Sequence, residues 1–316
     1  MPNDYALVFP GQGSQYVGMG QDLWEQSPAA RAVFAQADDV LAFPLSKLCF
    51  AGPEEVLRET ANAQPAILVV SLAALAALEE AAGERLSPLF TAGHSLGEFT
   101  ALVAAGALSG ADALRLVRRR GELMSAAGQE RPGAMAAVLG ADDAAVEEAC
   151  AEAAEAGTVI VANYNAPGQV VISGDPAAVA RAGEVAKAKG ARRVMALAVS
   201  GAFHSPLMAY AVRPFRGAVA ECQIADPRVP VVGNVTATPL RTAAEVRDEL
   251  TRQITSPVCW SRSVEYMAEH GAGQFVEVGP GRVLTGLAKR THSVRTANVD
   301  DVAAARALAA EWRAGV

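Results

Sequence analysis

Basic charge, aromatic rings and cysteine are all scarce in this chain, and each scarcity closes off a class of function. Lys and Arg number 27 against 34 Asp and Glu, a formal net charge of −7. No strongly basic face is forced, so nucleic acid is not an expected partner. Aromatic residues make up 5% of the chain, too few for a platform that stacks bases. The four cysteines, Cys49, Cys150, Cys222 and Cys259, are widely separated and form no C-x-x-C. A disulfide framework and a zinc ribbon are both poor readings of that pattern, and reduced thiols suit it better. Long apolar runs are missing too. The longest, Ala66 to Leu78, is interrupted by Ser71 and closed by Glu79 and Glu80. It is too short to span a bilayer and reads as a buried helix, so no membrane is expected. Met1 to Gln15 has neither a basic leader region nor a long apolar one, so the expected location is cytoplasmic. No H-E-x-x-H, EF-hand loop or carboxylate-rich cluster is evident, and no metal is expected.

What is present suits a large buried core. Hydrophobic residues reach 51% and charged ones 19% over 316 residues, which excludes wholesale disorder. That length allows one large domain or a body carrying a smaller inserted one. Tyr5–Phe9 is a short apolar run closed by Pro10 and Gly11, a buried strand entering a loop. Helical patterns follow at about 28–41 and 65–82, with Pro65 suited to the first helical turn. A brief apolar segment, 88–92, then leads into Gly93-His94-Ser95-Leu96-Gly97 and an alanine-rich helix. Strand, tight turn, helix is the grammar of an α/β protein.

Between about 129 and 198 the texture changes to strand, helix, strand, strand, helix, strand, the ferredoxin-like order. The expected division is therefore a catalytic body of residues 1–128 and 199–316, with an inserted ferredoxin-like subdomain at 129–198. The body resumes with a helix near 207–220, a strand at 229–232 and helices at 243–254 and 260–270. A last strand is expected at 274–278, followed by Gly279-Pro280-Gly281 and a further helix.

Gly93-His94-Ser95-Leu96-Gly97 matches G-x-S-x-G in the context that pattern needs. Its glycines relieve crowding at a sharp strand-to-helix turn, and the serine Oγ is thrust outward. A serine hydroxyl needs a base to be nucleophilic at neutral pH, and histidine is the usual one. Four histidines are available. His94 adjoins the serine and reads as a packed or hydrogen-bonded neighbour. His270 sits at an apparent helix end and reads as a structural cap. His292 lies in a polar stretch that suits a solvated side chain. His204, in Ser200-Gly201-Ala202-Phe203-His204-Ser205-Pro206, occupies a loop suited to face a cleft, which makes it the leading candidate. Phe9-Pro10-Gly11-Gln12-Gly13-Ser14-Gln15 fails as a dinucleotide or P-loop motif. It remains either a plain turn or a turn that lends backbone N–H groups to an oxyanion. Arg118, Arg119 and Arg120 cannot share one helix face. Arg120 aligns with Leu116, Leu123 and Ala127 and so can turn inward, where it would need a carboxylate partner.

Taken together these segments resemble malonyl-CoA:acyl carrier protein transacylases and the acyltransferase domains of polyketide synthases. The matching segments are FPGQGSQ, QPA at Gln64–Ala66, GHSLGE at Gly93–Glu98, RG-x-x-M at Arg120–Met124 and NYNAPGQVVISG at Asn163–Gly174. SGAFHS at Ser200–Ser205, SPV-x-W at Ser256–Trp260 and EVGPG at Glu277–Gly281 complete the set, in family order over almost the whole chain. The resemblance implies an α/β-hydrolase-like large domain with an inserted ferredoxin-like subdomain and the active site between them. It implies Ser95 as nucleophile, His204 as base, and the Gln12 and Leu96 N–H groups as oxyanion hole. It also implies Arg120 as the ligand of the malonyl carboxylate and the Gln253 carbonyl as the group that orients the histidine. Gln169 is implied as a polar residue of the cleft, and Phe203, just before the base, is a candidate to crowd a branched acyl group.

The implied activity is ping-pong transfer of malonyl from malonyl-CoA to the phosphopantetheine thiol of acyl carrier protein, in fatty acid biosynthesis. No cofactor beyond CoA is called for, and a monomer is expected. A stand-alone polyketide acyltransferase is the alternative, and a serine esterase or thioesterase a more distant one. Lys187, Lys189, Arg192, Arg193, Lys289 and Arg290 are the expected positive patch for an acidic carrier protein.

Overall fold

The computed structural model describes residues 4–315. Ten strands divide between two sheets. The first holds β1 (Tyr5–Phe9), β2 (Phe90–Gly93), β7 (Val231–Val232), β8 (Pro239–Leu240), β9 (Gln274–Val278) and β10 (Arg295–Val299). Their order is β10-β9-β1-β2-β7-β8, parallel throughout except for the edge strand β8. Helices must cover both faces of such a sheet, and its central strands are accordingly buried along their whole length: β1, β2 and β9 have no exposed residue. Thr60–Ala82 forms the central helix behind the sheet, apolar on every side because every side meets protein. Among the described residues it alone is long and apolar enough to cross a membrane, and 89% of that stretch is buried inside the fold.

The helix starts earlier than its sequence suggests. Pro65 lies inside it and not in its first turn. A proline there leaves the carbonyl four residues back without its helical donor. That carbonyl belongs to Ala61, and the Arg118 guanidinium donates to it at 3.2 Å.

The second sheet holds β3 (Ala134–Leu139), β4 (Val159–Ala166), β5 (Gln169–Gly174) and β6 (Arg193–Ala196). It is antiparallel, ordered β4-β5-β3-β6, with helices Asp143–Glu152 and Pro176–Ala188 supplied by its two crossovers. This is the expected ferredoxin-like arrangement. It has its own core, in which Val138, Val146, Ile172 and Val179 pack together. Two features tie it to the larger sheet. The chain leaves and returns side by side, so close that a Cβ on Gly128 would lie 2.1 Å from the Ser200 carbonyl oxygen. In addition β4 exchanges backbone hydrogen bonds with Val258, at 2.9 Å from Tyr164 N–H and 2.9 Å to the Ala162 carbonyl.

The expected last strand, β9, is followed by another, β10, and by the helix Val302–Ala314. β10 is an edge strand with only Val299 buried, so its sequence, RTANV, carries almost no apolar signal.

Candidate active site

The nucleophile candidate stands where β2 turns into the helix Gly97–Ala104. Ser95 has φ +51°, a left-handed conformation that costs a non-glycine residue about 1–3 kcal/mol unless its surroundings impose it. Here they do. The Asn234 Oδ1 accepts from the Ser95 N–H at 2.6 Å, and the Gln253 Nε2 donates to the Ser95 carbonyl at 2.9 Å. Asn234 also donates to the Gly93 carbonyl at 2.7 Å, clamping the turn from both ends. The flanking glycines are sterically required. A Cβ on Gly93 would sit 2.0 Å from the Gly97 carbonyl, and one on Gly97 would sit 2.0 Å from the Phe9 carbonyl oxygen.

His204 comes from the loop after β6 and is likewise left-handed, at φ +59°. Its Nε2 lies 2.7 Å from Ser95 Oγ. Its Nδ1 faces two carbonyl oxygens, Gln253 at 3.0 Å and Ser256 at 3.2 Å. Carbonyls only accept, so Nδ1 carries the proton and Nε2 is free to accept from the serine hydroxyl. Burial, then the neighbouring Arg120 charge, push the His204 pKa down to about 3. The imidazole is therefore neutral at neutral pH, in the tautomer a general base requires.

Arg120 lies beneath both, 1% exposed. Its three partners are neutral oxygens: Gln64 Oε1 at 2.8 Å, Gln253 Oε1 at 2.8 Å and Ser95 Oγ at 3.2 Å. Among the described residues its Nε has no partner. Burial lowers its pKa to about 10, which leaves it a cation. A buried guanidinium touching no carboxylate is an incomplete arrangement, and an anionic group attached to Ser95 Oγ would complete it.

A cleft of about 460 Å³ opens over these groups, lined by Gln12, His94, Ser95, Met124, Asn163, Phe203 and His204 among others. Leu96 precedes the helix Gly97–Ala104, and Gln12 is fixed through its side chain to Thr60 Oγ1 at 3.2 Å. Among the described residues neither backbone N–H has a protein acceptor, so both amides remain available to an oxyanion. His94 turns away from the serine and donates from Nε2 to Asn165 Oδ1 at 2.8 Å. His270 bonds to the Tyr266 carbonyl at 2.7 Å and stacks on the Tyr266 ring, and His292 closes the helix Val283–Thr291.

Two expectations need correction. Gln169 does not line the cleft: it starts β5 at the exposed end, where its Oε1 accepts from Arg290. Asn163, farther along the neighbouring strand β4, takes the wall position instead. Lys189 is not a free surface charge either, because it pairs with Glu148 and Glu152, each at 2.9 Å.

Sequence reasoning also missed the support beneath the elbow. Glu98 accepts from the Asn234 N–H at 2.9 Å and from Gln253 Nε2, and Glu249 accepts from the Val235 N–H at 2.7 Å. Asn234 reaches Ser95 across 139 residues of chain, so no local pattern announces it. Glu98 did carry a signal, as a carboxylate next to the motif at the start of a mostly apolar helix.

A family model described as acyl transferase domain matches residues 6–313. A protein of Bacillus subtilis named malonyl CoA-acyl carrier protein transacylase is 46% identical over 298 residues, 94% of this chain and 93% of that one. Its namesake in Escherichia coli K12 is 45% identical over 97% of this chain and 99% of its own. The crystal structure of an acyl carrier protein S-malonyltransferase from Vibrio cholerae superposes with a TM-score of 0.93 at 42% identity, over 97% of this chain and all of that one. A malonyl-transacylase in complex with a type II polyketide synthase acyl-carrier protein gives 0.94 at 42% identity, over 98% of this chain and all of that one. A serine held against a neutral imidazole and a buried cation, matched along nearly its whole length by proteins of one kind, places this chain in the acyl transferase domain family.

Proposed function

We propose that this protein transfers a malonyl group from malonyl-CoA to the phosphopantetheine thiol of acyl carrier protein through a malonyl ester of Ser95. The observation that carries the reading is Arg120, a buried cation with only neutral partners, 3.2 Å from the serine Oγ. Ser95 Oγ attacks the thioester carbonyl while His204 Nε2 takes its proton. The oxyanion sits against the Gln12 and Leu96 amides. Collapse of the tetrahedral intermediate breaks the carbon–sulfur bond, His204 returns the proton to the departing sulfur, and CoA leaves. The carrier thiol then attacks the Ser95 ester, with His204 accepting the thiol proton and handing it back to Oγ. The two half-reactions are mirror images, as ping-pong transfer demands.

The substrate is its own carrier of the reactive group, so the scheme calls for no cofactor beyond CoA and no metal. We place the reaction in fatty acid biosynthesis, in the cytoplasm, with residues 1–128 and 199–316 as the catalytic unit and 129–198 as the subdomain that walls the cleft. The enzyme is read as a monomer that docks an acidic carrier. Lys187, Arg192, Arg193 and Lys289 are the charges of the expected patch that remain exposed and, among the described residues, are not engaged in an ion pair or a contact with Gln169. A polyketide role uses identical chemistry and is supported by the likeness to the transacylase bound to a polyketide carrier protein. An esterase reading has little to recommend it, since His270 and His292 make local contacts away from the serine.

Intact-mass measurement after mixing with malonyl-CoA tests the proposal. A malonyl adduct that is lost in Ser95→Ala supports it. An adduct that survives Ser95→Ala, or none in the native protein, refutes it.

A further inference from the structure

His204 lacks something a histidine base ordinarily has. Its Nδ1–H faces two carbonyls and no carboxylate, while a cation, Arg120, stands on the other side. Both features oppose the imidazolium that must form as the serine loses its proton. The balancing charge lies one residue farther away. Gln253, whose backbone carbonyl accepts from His204, sends its side-chain Nε2 to Glu98 and its Oε1 to Arg120. Glu98 is fully buried and Glu249 is 2% exposed. The two carboxyls are held on consecutive backbone N–H groups, Asn234 for Glu98 and Val235 for Glu249, and burial, then the neighbouring Glu249 charge, push the Glu98 carboxyl well above its ordinary value, so the pair keeps one proton. The remaining negative charge is solvated by the Asn234 and Val235 N–H groups and by the Gln253 amide.

Resting on the acyl-transfer reading above, we infer that Glu98 and Glu249 together hold one fixed negative charge that acts through Gln253 on His204 and Arg120, in place of the carboxylate a histidine base ordinarily faces. They are positioning residues, since neither lines the cleft. The pair does two things at once. It stabilises the imidazolium of the transition state, and it keeps Arg120 ionised while no substrate carboxylate is present. The placement also explains why Arg120 can be buried among neutral oxygens. Its countercharge is set behind Gln253, leaving the face toward Ser95 open for the substrate.

The charged and titratable groups facing this network are few. Arg120 and His94 act on His204, and Arg252 acts on Glu249. Isosteric amides therefore isolate the effect. Glu98→Gln and Glu249→Gln each leave one carboxyl that can ionise, and each is expected to slow Ser95 acylation by only about threefold. The double variant removes the charge, and its acylation kcat is expected to fall at least about tenfold, the scale of one charge lost in an intermediate dielectric. Its KM for malonyl-CoA should hold or fall, because the positive field of Arg120 is then uncompensated. The acid limb of its kcat profile should move to lower pH, which a purely structural defect would not produce.

Infrared difference spectra in D2O supply an arm that needs no activity and no double variant. The native protein at neutral pH should show the carbonyl stretch of one buried protonated carboxyl, absent from each single variant. No such band, or a double variant with native kcat and an unmoved acid limb, would overturn the inference. Failure of the native protein to take up malonyl would count against the acyl-transfer reading instead, with the infrared result still standing on its own.

Discussion

The floor of the cleft and its wall are built on different terms. The floor comes from the parallel sheet and its helices: Ser95, Arg120, Asn234 and Gln253 are locked by short hydrogen bonds, and the last three are buried. The wall comes largely from the antiparallel sheet and the chain leaving it, through Met135, Asn163, Leu197 and Val199, whose side chains are mostly apolar. Catalysis demands reacting groups fixed within a fraction of an ångström, and only a dense polar network on rigid elements supplies that. Holding an acyl chain and a pantetheine arm demands no such precision. Floor variants should therefore damage kcat, and wall variants should mainly change which acyl group is accepted.

His204→Ala should produce the largest loss, at least ~10²-fold in acylation rate, because it removes the base outright. Stopped-flow measurement of CoA release reads this directly, and a loss below tenfold would take His204 out of the mechanism. Asn234→Ala should come next. It strands the Ser95 N–H and the Gly93 carbonyl, costing about 1–3 kcal/mol of stability, and lets the strained serine relax. Denaturant unfolding together with kcat distinguishes this from a simple core defect, since kcat per folded molecule should also fall.

The pH profile sharpens the same contrast. The pKa of His204 is held at about 3 in the free protein, so kcat/KM for acylation should stay flat well below the ordinary histidine value of about 6.5. A malonyl carboxylate on Arg120 cancels part of the positive field, so the acid limb of kcat should lie at higher pH than that of kcat/KM. The unfolded chain binds this proton more readily than the folded one. The contribution of His204 to stability is accordingly complete above about pH 6.5 and is lost as pH falls toward 3. A kcat/KM limb centred near 6.5 would mean that the imidazole is not buried as described. The smallest effect belongs to the wall. Phe203→Ala should leave malonyl transfer within a few-fold while improving methylmalonyl, on the scale of one methyl group in an apolar pocket. Competition between the two CoA esters, read by mass, measures the ratio.

How much of this could be read in the sequence follows the same division. Ser95 and its glycines are contiguous, and strand, turn and helix surround them in order, so the elbow was legible residue by residue. His204 was legible as a loop histidine near a glycine and a proline, although only the fold brings it to Oγ. The ferredoxin-like order was legible because its strands and helices alternate cleanly. Asn234 and Glu249 were not, because a polar residue buried by the fold looks in sequence like one facing water. Gln169 was misplaced for a related reason. Strands β4 and β5 both carry polar residues, and which of them faces the cleft depends on where β4 docks against Val258. Strand β10 shows the limit of periodicity at a sheet edge, where only Val299 of its five residues is buried.

The central claim is that a buried guanidinium whose direct partners are all neutral oxygens selects the acyl group. The most direct test is kcat/KM for malonyl-CoA and for acetyl-CoA in the native protein and in Arg120→Ala, with folding checked for each. Malonyl transfer should fall by a few kcal/mol, as for one truncated partner of a buried charge pair, while acetyl transfer holds or improves. An equal loss of both substrates in a folded Arg120→Ala protein would make the arginine structural and would contradict the account.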